Sequence, residues 1–125
     1  MLELDIVGEA PLAATEIERL AALAAASAGV SEGHLAIEFV GPARIRELNR
    51  EHRAHDAATD VLSFPIDGAV GDPRGPRELG DVIICPEHTL ELREAVVHGV
   101  LHLLGMDHER DEGEMLALQR ELLSW

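Results

Sequence analysis

The sequence contains no lysine or tyrosine, and it has one cysteine, one tryptophan and two phenylalanines. A single cysteine excludes an internal disulfide and therefore the small secreted folds that depend on one, so Cys85 is expected to be a small buried residue. With so few aromatic side chains, stacking on nucleic-acid bases can contribute little to binding. Any nucleic acid would have to be recognised through its shape and its backbone.

Long apolar runs are also missing. The richest stretch, Leu20 to Val30, is mostly alanine and is too short to span a bilayer. Residues Met1 to Asp5 lack the basic start and the apolar segment of a secretory signal, so we expect a cytoplasmic protein with no membrane role. The chain has 125 residues, 46% of them apolar, which predicts one domain over residues 1–125 with a modest core.

Positive charge is scarce, since ten arginines against 24 acidic residues give a formal net charge of -14. Proteins that bind nucleic acid through bulk electrostatics normally have the opposite sign, and no DNA partner is expected. Four arginines are nevertheless clustered in the sequence: Arg44, Arg46, Arg50 and Arg53. The last three recur at i, i+4 and i+7, which predicts a row of guanidinium groups if one helix carries them all.

The hydrophobic periodicity predicts an α+β fold, in which helices flank a small mixed β-sheet. Strands are predicted at Leu2–Ile6, His34–Val40, Val61–Pro65 and Leu79–Cys85. Helices are predicted from a capping box of Thr15 and Glu18 to Gly29, from Pro42 to His52, from about Glu87 or Thr89 to Leu104, and from Asp111 to Leu123. Glycines and prolines from Gly68 to Pro76 predict an irregular loop that borders a substrate groove.

Three histidines form the most informative pattern. His98 and His102 are four residues apart in the third predicted helix, so both imidazoles project from one face and can converge on one ion. Gly105 ends the helix, and His108 follows closely enough to bring a third imidazole to that ion. Three neutral imidazoles with an open position suit one zinc ion, which can lower the pKa of bound water to about 7. The pattern predicts a hydrolytic zinc site at the end of the central helix.

Other interpretations of these histidines differ in what they require. Packed and hydrogen-bonded core histidines would require three residues at ligand spacing by coincidence. A structural zinc would normally need a fourth protein ligand, often a cysteine; Asp107 or another histidine could supply it. Metzincin proteases share the spacing, but Gly99 stands where they carry a catalytic glutamate. This difference argues against a protease and favours other hydrolytic chemistry, such as phosphodiester cleavage.

The segment HGVLHLLGMDH, from His98 to His108, resembles the signature of the YbeY family of bacterial zinc-dependent endoribonucleases that act in ribosomal RNA maturation. The resemblance extends from about Val40 to Glu109 and includes further matching positions, which are Leu48-Asn49, Arg53, Thr59 to Pro65 and Gly80-Asp81. The sequence departs from the family at Met106, where tyrosine is common, and in the short segment Pro86 to Val97.

The resemblance implies one zinc ion per chain on His98, His102 and His108, with Arg53 and His108 as catalytic residues. A guanidinium at Arg53 could hold a phosphate bidentately and stabilise charge that develops on its oxygens. The attacking group would be either hydroxide delivered by zinc or a ribose 2′-hydroxyl, and the sequence leaves both routes open. No general base is evident, although His52, His55 and Asp107 are polar candidates.

The function implied by the resemblance is single-strand-specific endoribonuclease cleavage in the maturation of small-subunit ribosomal RNA and in ribosome quality control. The implied partners are ribosomal RNA and the ribosome or its proteins. One alternative is a non-catalytic ribosome-assembly factor with structural zinc, which the acidic charge also fits because ribosomal proteins are basic. Another is a zinc hydrolase that acts on a different small substrate.

Overall fold

The structure, a computed structural model, describes residues 2–30, 32–66, 78–105 and 113–124. The secondary-structure elements of these residues are β1 (Leu2–Val7), α1 (Ala14–Ser27), β2 (Gly33–Phe39), α2 (Pro42–Arg53), β3 (Val61–Pro65), β4 (Glu78–Ile84), α3 (Leu92–Leu103) and α4 (Glu114–Leu123). A short 3-10 turn, Pro86–His88, precedes α3. The predicted loop from Gly68 to Pro76, Asp107 and His108 lie outside the described residues.

The four strands form one mixed sheet in the order β1-β2-β4-β3. The pairs β1–β2 and β2–β4 are parallel, whereas β3 pairs with β4 in the antiparallel direction and forms an edge. The β2–β4 register shifts at one point, since His34 pairs with Glu78 but Leu35 pairs with Gly80, which leaves Leu79 as a bulge. The prediction of an α+β fold with a small mixed sheet is confirmed.

Side chains alternate between the two faces of the sheet along each strand, and the strands carry buried apolar residues on both faces. Helices cover both faces. On one face, Leu35, Ile37, Val82 and Ile84 are buried in a core shared with α1, α3 and α4. On the other, a smaller cluster joins two side chains of α2 to the sheet: Ile45, Leu48, Leu62, Ile83 and Cys85. Cys85 is fully buried, as predicted. No helix in the described part of the chain is both long and apolar enough to cross a membrane.

Two predicted helix starts are wrong. Helix α1 begins at Ala14 after an N-cap at Ala13 that has no side-chain hydrogen bond, so Thr15 and Glu18 do not form a capping box. Helix α3 begins only at Leu92, because the Glu91 carboxylate caps it by accepting a hydrogen bond from the Arg93 N–H.

Helix α4 begins at Glu114. The residue before it, Gly113, has a φ of 101° and is therefore not helical. Asp111 itself lies outside the described residues.

Candidate metal centre and its surroundings

Helix α3, which carries His98 and His102, lies directly on the sheet at Gly99. A Cβ atom added to Gly99 would collide with a methyl group of Val82 and come within 3.3 Å of Val61. The Ser63 hydroxyl of β3 donates a hydrogen bond of 2.9 Å to the Gly99 carbonyl oxygen. The position taken by glutamate in metzincins therefore faces the sheet here, which gives a structural reason for the glycine.

The two described histidines of the predicted zinc site do converge. Their Nε2 atoms lie 3.1 Å apart, and their ring centroids are 4.6 Å apart at an interplanar angle of 74°. Imidazole nitrogens bound to one tetrahedral zinc at about 2.0–2.1 Å would lie about 3.3 Å from each other. Both side chains are half-buried. Their geometry therefore fits a pair of nitrogen ligands on one ion.

The third predicted ligand, His108, lies outside the described residues. Within the described ranges, no group of three or more His, Cys, Asp or Glu side chains is arranged to hold a metal ion. A third protein ligand for His98 and His102 would therefore come from outside these ranges. The role of His108 stays a prediction.

Gln119 of α4 also contacts His98, and no pattern in the sequence pointed to this contact. The His98 Nδ1 and the Gln119 Oε1 are 2.8 Å apart, which is a good hydrogen-bond distance. Gln119 is only 5% exposed, although it lies on a helix whose other buried residues, Met115 and Leu122, are apolar. The contact exists only because α4 packs against α3.

A cleft of about 350 Å³ opens beside His98. Its lining includes the start of β3, the turn before α3, the first residues of α3 and one residue of α4: Asp60, Val61, His88, Thr89, Leu90, Glu91, Glu94, Ala95, His98 and Leu116. Leu90 is fully exposed and Leu116 is 43% exposed. The cleft gives a substrate access to His98, one of the two converging histidines.

Arg53 is the last residue of α2 and lines a second, polar pocket with Asn49, His55, Thr59 and Leu62. Both pockets border the start of β3 but on different faces of the sheet: Thr59 and Leu62 line the one on the side of α2, and Asp60 and Val61 line the one on the side of α3. Arg53 and His98 therefore both line pockets that border the start of β3, but they line different pockets. Its catalytic role stays a prediction.

The predicted row of three guanidinium groups is interrupted by an ion pair. Arg46 donates hydrogen bonds to both carboxylate oxygens of Asp56, at 2.7 and 3.1 Å. These bonds lower the pKa of Asp56 and raise the pKa of Arg46. Arg53, by contrast, pairs with no carboxylate of the described part of the chain. Arg53 is therefore better placed than Arg46 to accept an incoming phosphate.

Asn49 holds the turn that follows Arg53. Its buried side chain donates a hydrogen bond of 3.0 Å to the Ala57 carbonyl oxygen. The backbone carbonyl oxygen of Asn49 accepts hydrogen bonds from two backbone N–H groups, those of His55 and of Ala54, which is in the left-handed C-cap position. These bonds bring the chain from α2 to Thr59 and β3, so Asn49 shapes the pocket beside Arg53.

Comparison with known proteins gives consistent results. The sequence profile of one family, described as "Endoribonuclease YbeY", matches residues 8–125. The Endoribonuclease YbeY of Macrococcus caseolyticus is 39% identical, over 87% of this chain and 82% of the relative. That of Moorella thermoacetica is 40% identical, over 94% and 88%. The chain spans about two thirds of some other relatives, such as those of Rubrobacter xylanophilus and Koribacter versatilis.

One solved structure is similar to this fold over nearly its whole length. It is the solution structure of protein TM1509 from Thermotoga maritima, with a TM-score of 0.56 and 26% sequence identity. The similarity covers 97% of this chain and 87% of that one.

Proposed function

Because this chain belongs to the YbeY family of endoribonucleases, a family of metalloenzymes, we propose that its cleft is the active site of a zinc-dependent ribonuclease. The chain is a hydrolase that cleaves phosphodiester bonds within RNA. Our proposal adds the metal, its ligands and the natural substrate. One zinc ion is held by His98, His102 and His108, and the substrate is single-stranded RNA of the small ribosomal subunit.

The observation that carries the proposal is the convergence of the His98 and His102 Nε2 atoms at 3.1 Å beside an accessible cleft. The donor set supports zinc, since imidazole nitrogens are preferred zinc ligands and leave a coordination position open when only three bind. A zinc ion bound there would supply Lewis-acid chemistry, which activates water at neutral pH or polarises a phosphoryl oxygen.

The residues around the histidines would hold and orient the RNA. Arg53 would bind a phosphate of the chain in the pocket that it lines, because its planar guanidinium matches two phosphate oxygens at once. A single strand of RNA that crosses the start of β3, past Thr59 and Asp60, would reach both pockets. Such a path contacts the sugar-phosphate backbone and needs no aromatic stacking, which suits a chain without tyrosine.

Cleavage of a single-stranded ribosomal RNA fragment tests this proposal. We expect zinc-loaded wild-type protein to cut it, and His102→Ala and His108→Ala variants with native circular dichroism to lose both the bound zinc and the cleavage. An oligonucleotide without the 2′-hydroxyl at the scissile position then separates the two routes of attack. If it is still cut, the ribose hydroxyl is not the nucleophile.

Two results would contradict the proposal. Retention of full cleavage by both histidine variants would remove the zinc site from the reaction. A zinc-loaded wild-type protein that leaves both free RNA and isolated small subunits uncut would favour the alternative of a ribosome-assembly factor. The partner and the compartment are part of the same proposal: we propose association with the ribosome in the cytoplasm, which co-sedimentation of the protein with ribosomal subunits would test.

A further inference from the structure

Gln119 and Asn49 are the two buried polar side chains of the described residues. Burial of an amide costs about 1–3 kcal/mol unless hydrogen bonds replace those lost to water. Asn49 offsets this cost by holding the turn after α2. Gln119 is bonded to a single side chain, His98, which comes from a different helix and lies 21 residues earlier in the chain. A leucine or methionine would continue the apolar face of α4, so the amide at this position calls for another explanation.

The direction of this hydrogen bond determines which nitrogen of His98 can bind a metal. A carbonyl oxygen such as Gln119 Oε1 only accepts hydrogen bonds, so the His98 Nδ1 has to carry the proton. In the neutral ring the lone pair is then on Nε2, the atom that lies 3.1 Å from the Nε2 of His102. The same bond fixes the rotation of the imidazole about its side-chain axis.

We propose that Gln119 is a positioning residue of the metal centre, which selects the Nδ1–H tautomer of His98 and aims its Nε2 at the metal. This inference rests on the zinc site proposed above and extends it to a residue of α4. Partners that accept from the second nitrogen of a metal-binding histidine typically contribute 10-fold to 100-fold in metal affinity. The bond joins α4 to α3, because Gln119 and His98 come from these two helices.

A zinc titration against a competing chromophoric chelator tests the proposal directly and needs no activity assay. Gln119→Met removes the acceptor at similar volume, and Gln119→Glu keeps an oxygen that accepts from the same Nδ1–H. We expect the methionine variant to bind zinc about 10-fold to 100-fold more weakly than wild type. The glutamate variant should bind at least as tightly as wild type. Absorption spectra of the cobalt-loaded proteins would report the coordination geometry independently.

A matched control separates positioning from simple loss of stability. Leu122 is buried on the same helix, so Leu122→Ala destabilises the packing of α4 without removing the acceptor of His98. We expect this variant to melt at lower temperature and to bind zinc like wild type. Equal losses of zinc affinity in Leu122→Ala and Gln119→Met would overturn the positioning role, and so would a loss in both the methionine and the glutamate variants.

His98→Gln, measured in the same series, distinguishes failure of this inference from failure of the zinc site. If His98→Gln loses zinc and Gln119→Met binds it like wild type, the site stands and the role of Gln119 is refuted. If His98→Gln itself binds zinc like wild type, the proposed site is wrong, and the inference about Gln119 is refuted with it.

Discussion

Gly99 packs so closely against the Val82 side chain that the helix with the two histidines has no room for a side chain of its own at this point. The Ser63 hydroxyl fixes the same point by its hydrogen bond to the Gly99 carbonyl oxygen. The position of His98 relative to the cleft therefore depends on a close contact of helix and strand one residue away.

We expect Gly99→Ala to destabilise the protein. In an open helix this change would stabilise by about 1 kcal/mol, because alanine is the better helix former. Here the added methyl group meets Val82, and overpacking of a core typically costs about 1–3 kcal/mol. Urea unfolding of the variant measures the difference.

Val82→Ala in the Gly99→Ala background provides the control for this prediction. It removes the methyl groups that the new Cβ atom meets, so the double variant should be less destabilised than the sum of the two single variants. Strict additivity of the two changes, or an increase in stability from Gly99→Ala alone, would contradict the close contact.

Arg53 and Arg46 make a matched pair, since both lie on α2 but, of these two, only Arg46 is bound to a carboxylate of the described residues. We expect Arg53→Gln to lower kcat/KM for RNA cleavage by about 10²-fold to 10³-fold, the size typical for loss of a donor that stabilises transition-state charge. Arg53→Lys should recover only part of this loss, because an ammonium lacks the planar fork with which a guanidinium donates two parallel hydrogen bonds to a phosphate. Arg46→Gln should cleave like wild type. Equal rates for Arg53→Gln and wild type would show that Arg53 is only a solvated surface charge.

Much of the fold followed from local patterns in the sequence. The alternation of Leu2, Leu4 and Ile6 with acidic residues predicted β1, and four-residue spacing placed His98 and His102 together on one helix. Helix starts were less accessible, because they depend on which group caps the first turn. The N-cap of α1, Ala13, has no side chain that could accept a hydrogen bond, so no local pattern indicated that start.

Tertiary contacts explain what sequence patterns could not predict. Gln119 looked like an ordinary helix residue, and only the packing of α4 on α3 brings it to His98. The ion pair of Arg46 with Asp56 depends in the same way on the turn after α2, which Asn49 shapes. The order of the strands in the sheet was also open, since β4 lies between two strands that precede it in the chain.

Removal of zinc should lower the stability of the protein without unfolding it. The core that holds α3 and α4 is apolar, with Val96, Val100, Leu101 and Met115 fully buried, so we expect it to form without metal. Free zinc at 100 times its Kd would stabilise the folded state by about 2.7 kcal/mol. Chelation should therefore lower the Tm by roughly 10 °C for a domain of this size and leave the far-ultraviolet circular dichroism intact.

His102→Gln, treated with the same chelator, is the control for this experiment, and its Tm should not change. Loss of the helical signal of the wild-type protein on chelation at 25 °C would point to structural zinc and support the assembly-factor alternative.

His34 on β2, which is far in sequence from the histidine pair of α3, makes a pH-dependent contact with the two neighbouring strands. Its Nε2 lies 2.8 Å from Asp5 of β1, and its Nδ1 lies 2.8 Å from Glu78 of β4. Hydrogen bonds to Asp5 and then to Glu78 raise the pKa of His34 above its usual value. The group therefore binds a proton more tightly in the folded than in the unfolded state, and its contribution is complete below about pH 6.5, the unfolded value. It is lost as the pH rises through the raised pKa.

Substitution of His34 should consequently lower the free energy of unfolding more at low pH than at high pH. We expect His34→Gln to lower the free energy of unfolding by about 1 kcal/mol or less at pH 6, since the groups are partly exposed to solvent. At pH 9 the difference from wild type should be smaller, because the stabilisation from tighter proton binding is lost as the pH rises through the raised pKa of His34. Urea unfolding at the two pH values measures this, with His88→Gln as the control, an exposed histidine that pairs with no carboxylate of the described residues. A destabilisation by His34→Gln that is equal at both pH values, or greater at pH 9, would show that the two carboxylates do not hold the protonated ring.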